Sequence, residues 1–299
     1  MFDIIATLDC AGRPLKLDRP RILGVINVTP DSFSDGGANE SVDAAVAHGL
    51  RLLADGADAL DIGGESTRPG AEEVPAELEI ARVVPVIERL ARETSVPISI
   101  DTSKPEVMRA AVAAGAGIIN DVYALRREGA LEAARDLSVP VILMHMQGEP
   151  RSMQKAPHYD DAVDEVRRFL ADRIFACELA GIPKARIVID PGFGFGKALE
   201  HNLSLLAGLE TFADLGVPLL AGMSRKRMIG ELTGRDINER LVGSVAAHLM
   251  AAERGAMLLR VHDVAAMRDA LAVRTAVRDR TKVAPKAAKK AMPRWPDDE

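Results

Sequence analysis

Residues 59–70 have the sequence Ala59-Leu60-Asp61-Ile62-Gly63-Gly64-Glu65-Ser66-Thr67-Arg68-Pro69-Gly70, a short apolar run that ends in a loop of glycines and polar residues. Such a run predicts a buried strand that stops and continues as a loop. Serine, threonine and arginine side chains can donate hydrogen bonds to an anion, and glycines let backbone N–H groups approach it closely. The alternative is a solvated loop whose Arg68 faces water, and this stretch alone leaves both interpretations open.

The same pattern of an apolar run, a polar strand end and a helical segment recurs along the chain. The eight predicted strands end near Asn27, Asp61, Asp101, Asn120, His145, Asp190, Ser224 and Arg260. Alternating strands and helices of this number predict an α/β fold with a single (β/α)8 TIM barrel. An open doubly wound sheet is the alternative, because periodicity does not show whether a sheet closes on itself.

The segments on either side of the barrel differ from it in composition. Residues 1–19 predict an N-terminal β-hairpin, with strands at Phe2–Leu8 and Leu15–Leu17. Residues 20–278 form the predicted barrel, and residues 279–299, rich in lysine, alanine and proline, predict a disordered tail because they cannot bury much apolar area. The helices with predicted bounds are Val42–Ala54, capped by Ser41, then Pro75–Glu93, Pro105–Ala114, Tyr159–Ala180, Asn238–Arg254 and one ending near Val277.

The bulk composition argues against several classes of protein. The chain has 299 residues, of which 47% are hydrophobic and 3% aromatic, a balance typical of parallel sheets covered by helices. Its net charge of −6 argues against a general nucleic-acid or anionic-membrane partner. Cys10 and Cys177 give no disulfide framework, and no apolar run approaches the length of a membrane span. We therefore expect a cytoplasmic protein.

Several standard catalytic motifs are tested and fail. The glycine-rich stretch 192–197 resembles a phosphate loop, but Pro191 and Ala198 stand where a Walker A motif needs glycine and a hydroxyl residue. A dinucleotide-binding pattern fails because Lys197 replaces its third glycine. The stretch 222–226 is not a nucleophile elbow because Lys226 replaces the second glycine. With no histidine pair at metal-ligand spacing, ATP hydrolysis, hydride transfer, zinc hydrolysis and serine acyl transfer are not supported.

The strand ends of a barrel meet at one mouth, where active sites lie. Asp101, Asn120 and Asp190 would lie there, and a ligand rich in N–H donors would suit them because buried carboxylates need such partners. Alternatively, they pair with a basic side chain inside the barrel, for which Lys226 is a candidate. A second set of basic and hydroxyl side chains suits a highly charged oxyanion. Its members are Thr67, Arg68, Lys226, Arg260 and His262.

Eight segments within residues 20–276 resemble the motifs of the dihydropteroate synthase family. They are Ile26–Gly37, Asp61–Gly70, Ser99–Thr102, Ile119–Val122, Leu143–Gly148, Asp190–Lys197, Ser224–Lys226 and Arg260–Val264. The resemblance implies a pterin-binding enzyme of folate synthesis. Such an enzyme joins 4-aminobenzoate to (7,8-dihydropterin-6-yl)methyl diphosphate and releases 7,8-dihydropteroate and pyrophosphate. It also implies small-molecule substrates, Mg²⁺ as the cofactor and a homodimer.

The resemblance further implies a role for individual residues. The pterin would be bound by Asp101, Asn120, Met144, Asp190, Phe195 and Lys226. The pyrophosphate would be bound by Asn27, Thr67, Arg68, Arg260 and His262, with Asn27 also at the Mg²⁺ ion. The aminobenzoate pocket would contain Phe33, Thr67, Pro69 and Arg227. Some family members have serine at the position of Arg227, so this arginine either assists or is simply exposed. The expected catalytic residues are Asp101, Lys226, Arg260 and His262.

Three other functions are weighed against this one. A catalytically silent pterin-binding homologue would be expected to have lost one of the residues above, and all are present. A methyltetrahydrofolate methyltransferase domain would need a cobalamin-binding partner domain, for which these 299 residues leave no room. A phosphate-binding barrel isomerase or aldolase would need a Schiff-base lysine or a catalytic glutamate at a strand end. Lys226 follows a strand, but nothing in the sequence marks a partner acid for it.

Overall fold

A computed structural model of the chain describes residues 7–29, 38–66, 73–149, 153–154 and 156–279, the side chains of residues 38–40 excepted. The predicted site residues Phe33, Thr67, Arg68 and Pro69 lie outside these ranges. So do residues 2–6 of the predicted hairpin and residues 280–299 of the predicted tail.

Strands and helices alternate through the described part of the chain. The strands are β1 Thr7–Cys10, β2 Arg13–Lys16, β3 Arg21–Asn27, β4 Ala59–Gly63, β5 Ile98–Asp101, β6 Ile118–Asp121, β7 Val141–Met144, β8 Ile187–Asp190, β9 Leu219–Ala221 and β10 Ala256–Val261. The α-helices are α1 Ala38–Asp55, α2 Ala76–Glu93, α3 Pro105–Ala113, α4 Ala130–Leu137, α5 Ala162–Leu179, α6 Leu199–Ala207, α7 Arg227–Thr233, α8 Leu241–Glu253 and α9 Val264–Asp279. Short 3-10 helices occupy Lys184–Arg186, Leu209–Leu215 and Ile237–Glu239.

The eight strands β3 to β10 are parallel and close into a barrel. Residues Leu258–Val261 of β10 pair with Arg21–Gly24 of β3, and this pairing completes the ring. The predicted barrel is therefore confirmed, and the open sheet is not formed. Strands β4, β6, β7 and β8 are buried along their whole length, because helices cover the outside of the barrel and side chains fill its inside. This double burial explains why the strands appear in the sequence as short unbroken apolar runs.

The N-terminal hairpin closes the end of the barrel opposite the strand carboxyl ends. Strands β1 and β2 pair as an antiparallel two-stranded sheet. Its turn consists of Ala11 and Gly12, both with positive φ, as in the tight turns that suit a hairpin. The hairpin side chains Leu8, Cys10 and Leu15 belong to one apolar cluster with the lowest interior layer of the barrel, which includes Leu23, Ile118, Ile142, Val188, Leu220 and Leu258. A hairpin is confirmed, although its strands run further into the predicted turn.

Some helix boundaries differ from the prediction. Helices α4, α6 and α7, for which no bounds were predicted, are short and lack a serine, threonine, aspartate or asparagine at the N-cap, the usual sequence signal of a helix start. The prediction that Ser41 caps the first helix was wrong, because α1 begins at Ala38. Helix α8 begins at Leu241, not at Asn238, because Ile237–Glu239 form a 3-10 turn. None of the described helices is both long and apolar enough to span a bilayer.

Candidate active site

Polar side chains from five strands meet inside the barrel near the carboxyl ends. Asp61 comes from β4, Asp101 from β5, Asn120 from β6, Asp190 from β8 and Arg260 from β10. All but Asp101 and Arg260 are at least 95% buried. Because alternate residues of a strand face the barrel interior, one inward position on each of several strands is enough to build this polar layer.

Arg260 bridges two carboxylates at the centre of this layer. Its Nε donates to Asp61 Oδ2 at 2.5 Å, and its Nη2 donates to Asp101 Oδ2 at 2.7 Å. Asn120 Nδ2 donates to the same oxygen of Asp61 at 3.2 Å. Burial alone would lower the pKa of Arg260, but the two carboxylates raise it above its usual value, so the guanidinium stays charged. The predicted pterin-side and pyrophosphate-side sets therefore meet at this one arginine.

Asp61, predicted to be a strand end at the barrel mouth, belongs to this layer, although no ligand role was predicted for it. Its side chain is fully buried, and Oδ1 has no hydrogen-bond partner among the described residues. An unpaired carboxylate oxygen in a buried layer is costly unless a ligand or water satisfies it. The sequence signal that could have identified Asp61 is a carboxylate within a short apolar run. In the strand register Asp61 lies beside Ser99, two residues before Asp101 on β5.

The carboxylates of this layer have raised pKa values. Burial raises the pKa of Asp101 to about 7, while Arg260 opposes the shift and Asp61 adds to it. Burial also raises the pKa of Asp190, although Lys226 and the backbone N–H of Gly192, which donates to Asp190 Oδ1 at 2.7 Å, oppose the shift. A ligand that donates N–H hydrogen bonds to these carboxylates would stabilise their ionised forms and lower both pKa values.

Lys226 follows β9 and extends over the loop that follows β8. Its Nζ donates to the backbone oxygen of Phe193 at 2.5 Å and lies 4.6 Å from the centre of the Phe195 ring. Burial lowers the pKa of Lys226 to about 8, while Asp190 opposes the shift. The backbone oxygen of Phe193 and the face of the Phe195 ring therefore hold the Lys226 ammonium group at the edge of the polar layer.

An apolar wall stands beside the polar layer. Met144, at the end of β7, packs in a small buried cluster with Val122, Met146 and Met153, and Phe195 packs against it. The two residues predicted to contact a pterin through apolar surface, Met144 and Phe195, thus share one cluster. A flat heteroaromatic ring could lie between such a wall and the polar layer, with its edge towards the carboxylates.

His262 is the first residue after β10 and lies two residues after Arg260 in the sequence. Its Nδ1 is 3.0 Å from Ser224 Oγ, and its backbone N–H donates to the same hydroxyl at 3.2 Å. The next residue, Asp263, accepts two hydrogen bonds from Arg225, at 3.0 Å from Nε and 2.5 Å from Nη2. These contacts tie the loop after β9 to the end of β10 and fix the direction of the His262 backbone.

A buried histidine supports the same loop from below. His248 Nε2 accepts from the backbone N–H of Met223 at 3.1 Å, and its Nδ1 faces the backbone oxygen of Ser244 at 2.7 Å. Burial lowers the pKa of His248 to about 4, so its ring is neutral near pH 7. Ser244 Oγ in turn accepts from the backbone N–H of Arg225 at 2.9 Å. The loop that leads into Lys226 is thereby held by side chains of α8.

Arg227, predicted for the aminobenzoate pocket, is largely exposed. Its side chain is 78% accessible, and its Nε donates to Glu231 one helical turn later at 2.6 Å. This arrangement is that of the simply exposed arginine, one of the two roles left open by the sequence. Its contribution to a ligand site stays a prediction.

The base of the loop after β4 is anchored by a buried lysine. Lys104 Nζ pairs with Glu65 of the loop and, at 2.6 Å, with Glu79 of α2. Arg82 donates to the backbone oxygen of Gly64 at 2.8 Å. Burial raises the pKa of Glu79, while hydrogen bonds from Lys104 and Thr102 oppose the shift. Gly64 and Glu65, which precede Ser66, are thus fixed to α2 and to the start of α3. This support was not predicted from the sequence.

Asn27 ends β3 and is the residue predicted to bind Mg²⁺. In the strand register Asn27 lies beside Gly63 of β4 and is half-buried. No group of three or more histidine, cysteine, aspartate or glutamate side chains that could hold a metal occurs in the described ranges. Mg²⁺ commonly takes one or two protein oxygens and completes its shell with water and substrate phosphates. The residues present therefore fit Mg²⁺ only together with a phosphate-bearing substrate.

Comparison with known proteins decides the family. The family described as pterin binding enzyme matches residues 23–262. Dihydropteroate synthase of Escherichia coli (strain K12) is 54% identical over 253 residues, which cover 85% of this chain and 90% of that protein. The chain belongs to the dihydropteroate synthase family. The chain therefore does not belong to the methyltransferases or to the barrel isomerases and aldolases that were weighed as alternatives.

Two solved structures agree with this assignment. Dihydropteroate synthase of Xanthomonas albilineans, solved with 4-aminobenzoic acid, is 67% identical with a TM-score of 0.87 and covers 91% of this chain and 98% of its own. The structure of that enzyme in complex with 7,8-dihydropteroate is 64% identical with a TM-score of 0.84 over the same shares. These scores show that the same fold extends over 91% of this chain.

Proposed function

We propose that the chain condenses (7,8-dihydropterin-6-yl)methyl diphosphate with 4-aminobenzoate to give 7,8-dihydropteroate and pyrophosphate in folate synthesis. The observation that carries the proposal is the buried layer in which Arg260 bridges Asp61 and Asp101 while Lys226 and Asp190 lie nearby. The ligands of the Xanthomonas albilineans structures, 4-aminobenzoic acid and 7,8-dihydropteroate, support the same substrates for this chain.

The pterin would lie with its polar edge against the strand ends. Asp101 and Asp190 would accept hydrogen bonds from ring N–H groups, which compensates the cost of keeping carboxylates buried. Asn120 can both donate and accept, and the ammonium of Lys226 can donate to a ring oxygen or nitrogen. Met144 and Phe195 would supply the apolar contact to the ring faces.

The diphosphate would lie on the side of Asn27, Arg260 and His262. Thr67 and Arg68, which follow the anchored base of the β4 loop in sequence, would add donors there. Mg²⁺ would be held by the Asn27 amide oxygen together with diphosphate oxygens, and when bound it supplies positive charge to the leaving group. Phe33, Thr67, Pro69 and Arg227 would complete the aminobenzoate pocket.

The reaction would proceed by dissociative loss of pyrophosphate. The bond between the pterin methylene carbon and the diphosphate oxygen breaks, and its electron pair leaves with the oxygen. The guanidinium of Arg260 and the ring of His262 stabilise the charge on the leaving group, while the carboxylates of Asp101 and Asp190 stabilise the cation spread over the pterin. The amine lone pair of 4-aminobenzoate then forms the new C–N bond, and the nitrogen releases one proton to water. An arylamine is neutral near pH 7, so no strong general base is needed.

The test is to mix purified protein with both substrates and Mg²⁺ and to follow pyrophosphate and 7,8-dihydropteroate together. We expect the two products in equal amounts, with no dihydropteroate when 4-aminobenzoate is omitted. Removal of Mg²⁺ by a chelator should stop turnover, added Mg²⁺ should restore it, and Asn27→Ala should raise the Mg²⁺ concentration required. Folded protein that binds the pterin substrate without turnover would instead identify the catalytically silent homologue.

We also propose a homodimer located in the cytoplasm. Seven of the eleven large apolar side chains that are exposed in the described residues lie between Leu232 and Val277 on α7, α8 and α9 or between them. A concentration of exposed apolar side chains favours an interface with a second copy. The two cysteines are buried and unpaired, as suits a reducing compartment.

A further inference from the structure

The glycine-rich loop 192–197, which resembles a phosphate loop in sequence, folds around its own lysine. Lys197 is 97% buried, and its Nζ lies 2.9 Å from the backbone oxygen of Gly192 and 3.0 Å from that of Phe195. It also lies 2.9 Å from Nδ1 of His145 and 3.4 Å from the backbone oxygen of that residue. The three contacts within 3.0 Å match the three N–H donors of an ammonium group, although burial lowers the pKa of Lys197 well below its usual value.

Three backbone N–H groups of this loop donate to acceptors within the protein. The N–H of Gly192 donates to Asp190 Oδ1 at 2.7 Å, and that of Gly194 donates to Asn202 Oδ1 at 2.7 Å. The N–H of Phe195 donates to the backbone oxygen of Gly192 at 3.1 Å. A phosphate loop directs N–H groups at an anion, whereas this loop directs carbonyl oxygens at a cation that belongs to the chain itself. The phosphate-loop resemblance therefore has a different physical basis.

Lys197 joins two loops that come from neighbouring strands. His145 is the first residue after β7, and Gly192 is the second residue after β8. Burial and the nearby Lys197 lower the pKa of His145 to about 2, so its ring is neutral. In the tautomer that carries its proton on Nε2, Nδ1 accepts from the ammonium at 2.9 Å. A Cβ added at Gly192 would overlap the backbone oxygen of His145. The loops thus touch backbone to backbone, and the ammonium bonds to both of them.

Three groups of the proposed pterin end lie on the joined loops or directly beside them. Met144 immediately precedes His145, the backbone oxygen of Phe193 accepts from Lys226, and the Phe195 ring lies under the Lys226 ammonium. We propose that Lys197 is a positioning residue, whose buried ammonium holds the loops after β7 and β8 together and thereby sets Lys226 and Phe195 for the pterin. This inference rests on the proposed function, because it assigns Lys197 to the pterin end of that site.

The first experiment compares Lys197→Met with Lys184→Met, an exposed lysine at the opposite end of β8, and begins with wild-type binding and turnover. We expect Lys197→Met to weaken calorimetric binding of the pterin substrate about tenfold or more, as misplaced supporting groups can. The KM for 4-aminobenzoate at saturating pterin should be unchanged, and Lys184→Met should behave as wild type. Failure of the wild type to bind the pterin would refute the proposed function, and this inference with it. Wild-type binding matched by folded Lys197→Met would overturn the inference alone.

A second variant and a measurement on the wild type cover the case in which Lys197→Met does not fold. Lys197→Gln retains two N–H donors, so it should bind the pterin substrate more weakly than the wild type but still measurably. Affinity equal to that of the wild type would overturn the proposal. In the wild type, ¹⁵N NMR of the His145 ring should show Nδ1 without a proton between about pH 5 and pH 8, the range in which an ordinary histidine titrates. A protonated Nδ1 would contradict the ammonium bond and refute the proposal by itself.

Discussion

At the scale of single residues, the site depends on one arginine shared by two carboxylates. Arg260 reaches Asp61 through Nε and Asp101 through Nη2, and Asp61 is fully buried. Buried charges are tolerated when they are paired, and removal of one partner leaves the other uncompensated. The shared pairing also makes the protonation of Asp101 sensitive to Arg260, which opposes the rise of its pKa.

We expect Asp101→Asn to weaken binding of the pterin substrate. The pKa of Asp101 is about 7, and ring N–H donors need the ionised carboxylate, so wild-type affinity should rise as the pH increases through 7. The variant should lose much of this rise, and the part due to Asp190, whose pKa burial also raises, should remain. Calorimetric titrations at several pH values measure both effects. Asp172→Asn, an exposed change on α5, is the control, and a variant with wild-type affinity at every pH would exclude Asp101 from the pterin site.

Arg260→Ala should slow turnover by about 10²-fold or more, as loss of a preorganised charge-stabilising donor can. It should also lower the free energy of unfolding by about 3 kcal/mol, because Asp61 and Asp101 lose their counterion. Steady-state kinetics and urea unfolding measure the two losses. The control is Arg167→Ala, whose surface pair with Asp214 at 3.6 Å should contribute less than about 1 kcal/mol. Wild-type kinetics in folded Arg260→Ala would remove Arg260 from the reaction.

At the scale of loops and helices, the mouth is built by segments that are fixed from outside the pocket. The loop after β4 is held by Lys104 and Arg82, that after β8 by Lys197, and that after β9 by His248 and Ser244. Loops positioned by a rigid scaffold are the usual carriers of binding groups. In this chain the supports are buried side chains and the half-buried Arg82. They lie outside the eight motif segments or have no ligand role within them.

Two glycines with the same φ angle allow the cost of backbone strain to be measured separately from the cost of steric overlap. Gly192 and Gly234 both have φ of +69°, but a Cβ would overlap the His145 backbone oxygen at Gly192 and meets nothing within 4 Å at Gly234. Gly234→Ala should lower the free energy of unfolding by about 1–2 kcal/mol, the cost of left-handed backbone for an alanine. Gly192→Ala should cost clearly more and should also weaken pterin binding. If urea unfolding showed the same loss of stability for both variants, the loops after β7 and β8 would be able to move apart at Gly192 without a free-energy cost.

At the scale of the whole molecule, barrel closure brings residues from all parts of the chain to one mouth while the hairpin seals the other end. The apolar layer from Leu23 to Leu258 packs on Leu8 and Leu15, and the polar layer lies above it. One end of the barrel is therefore built for stability and the other for ligands.

The proposed dimer is tested on the exposed apolar side chains of the last third of the chain. Val242 on α8 is 79% exposed, and α8 packs against both α7 and α9. We expect light scattering to give twice the 32.0 kDa of one chain, and Val242→Arg to shift the protein towards the monomer. Phe175→Arg on α5, also at an exposed apolar side chain, is the control and should stay dimeric. A wild type of monomer mass would refute the dimer.

The sequence by itself determined the succession of strands and helices and the polar residue at each strand end. These features are local, because burial of short apolar runs and the ends of helices leave periodic signals in the chain. The same signals failed for α4, α6 and α7, whose N-caps are not serine, threonine, aspartate or asparagine.

Only the tertiary structure decided which of these polar residues pair. Asp61 and Arg260 are 199 residues apart, and their contact depends on closure of the barrel and on strand register. Likewise, the Gly192–Lys197 stretch has the composition of an anion site, yet its lysine turns inward because the neighbouring loop offers a neutral histidine and carbonyl oxygens. Pairing across the barrel is a property of the closed ring, and no local pattern in the chain encodes it.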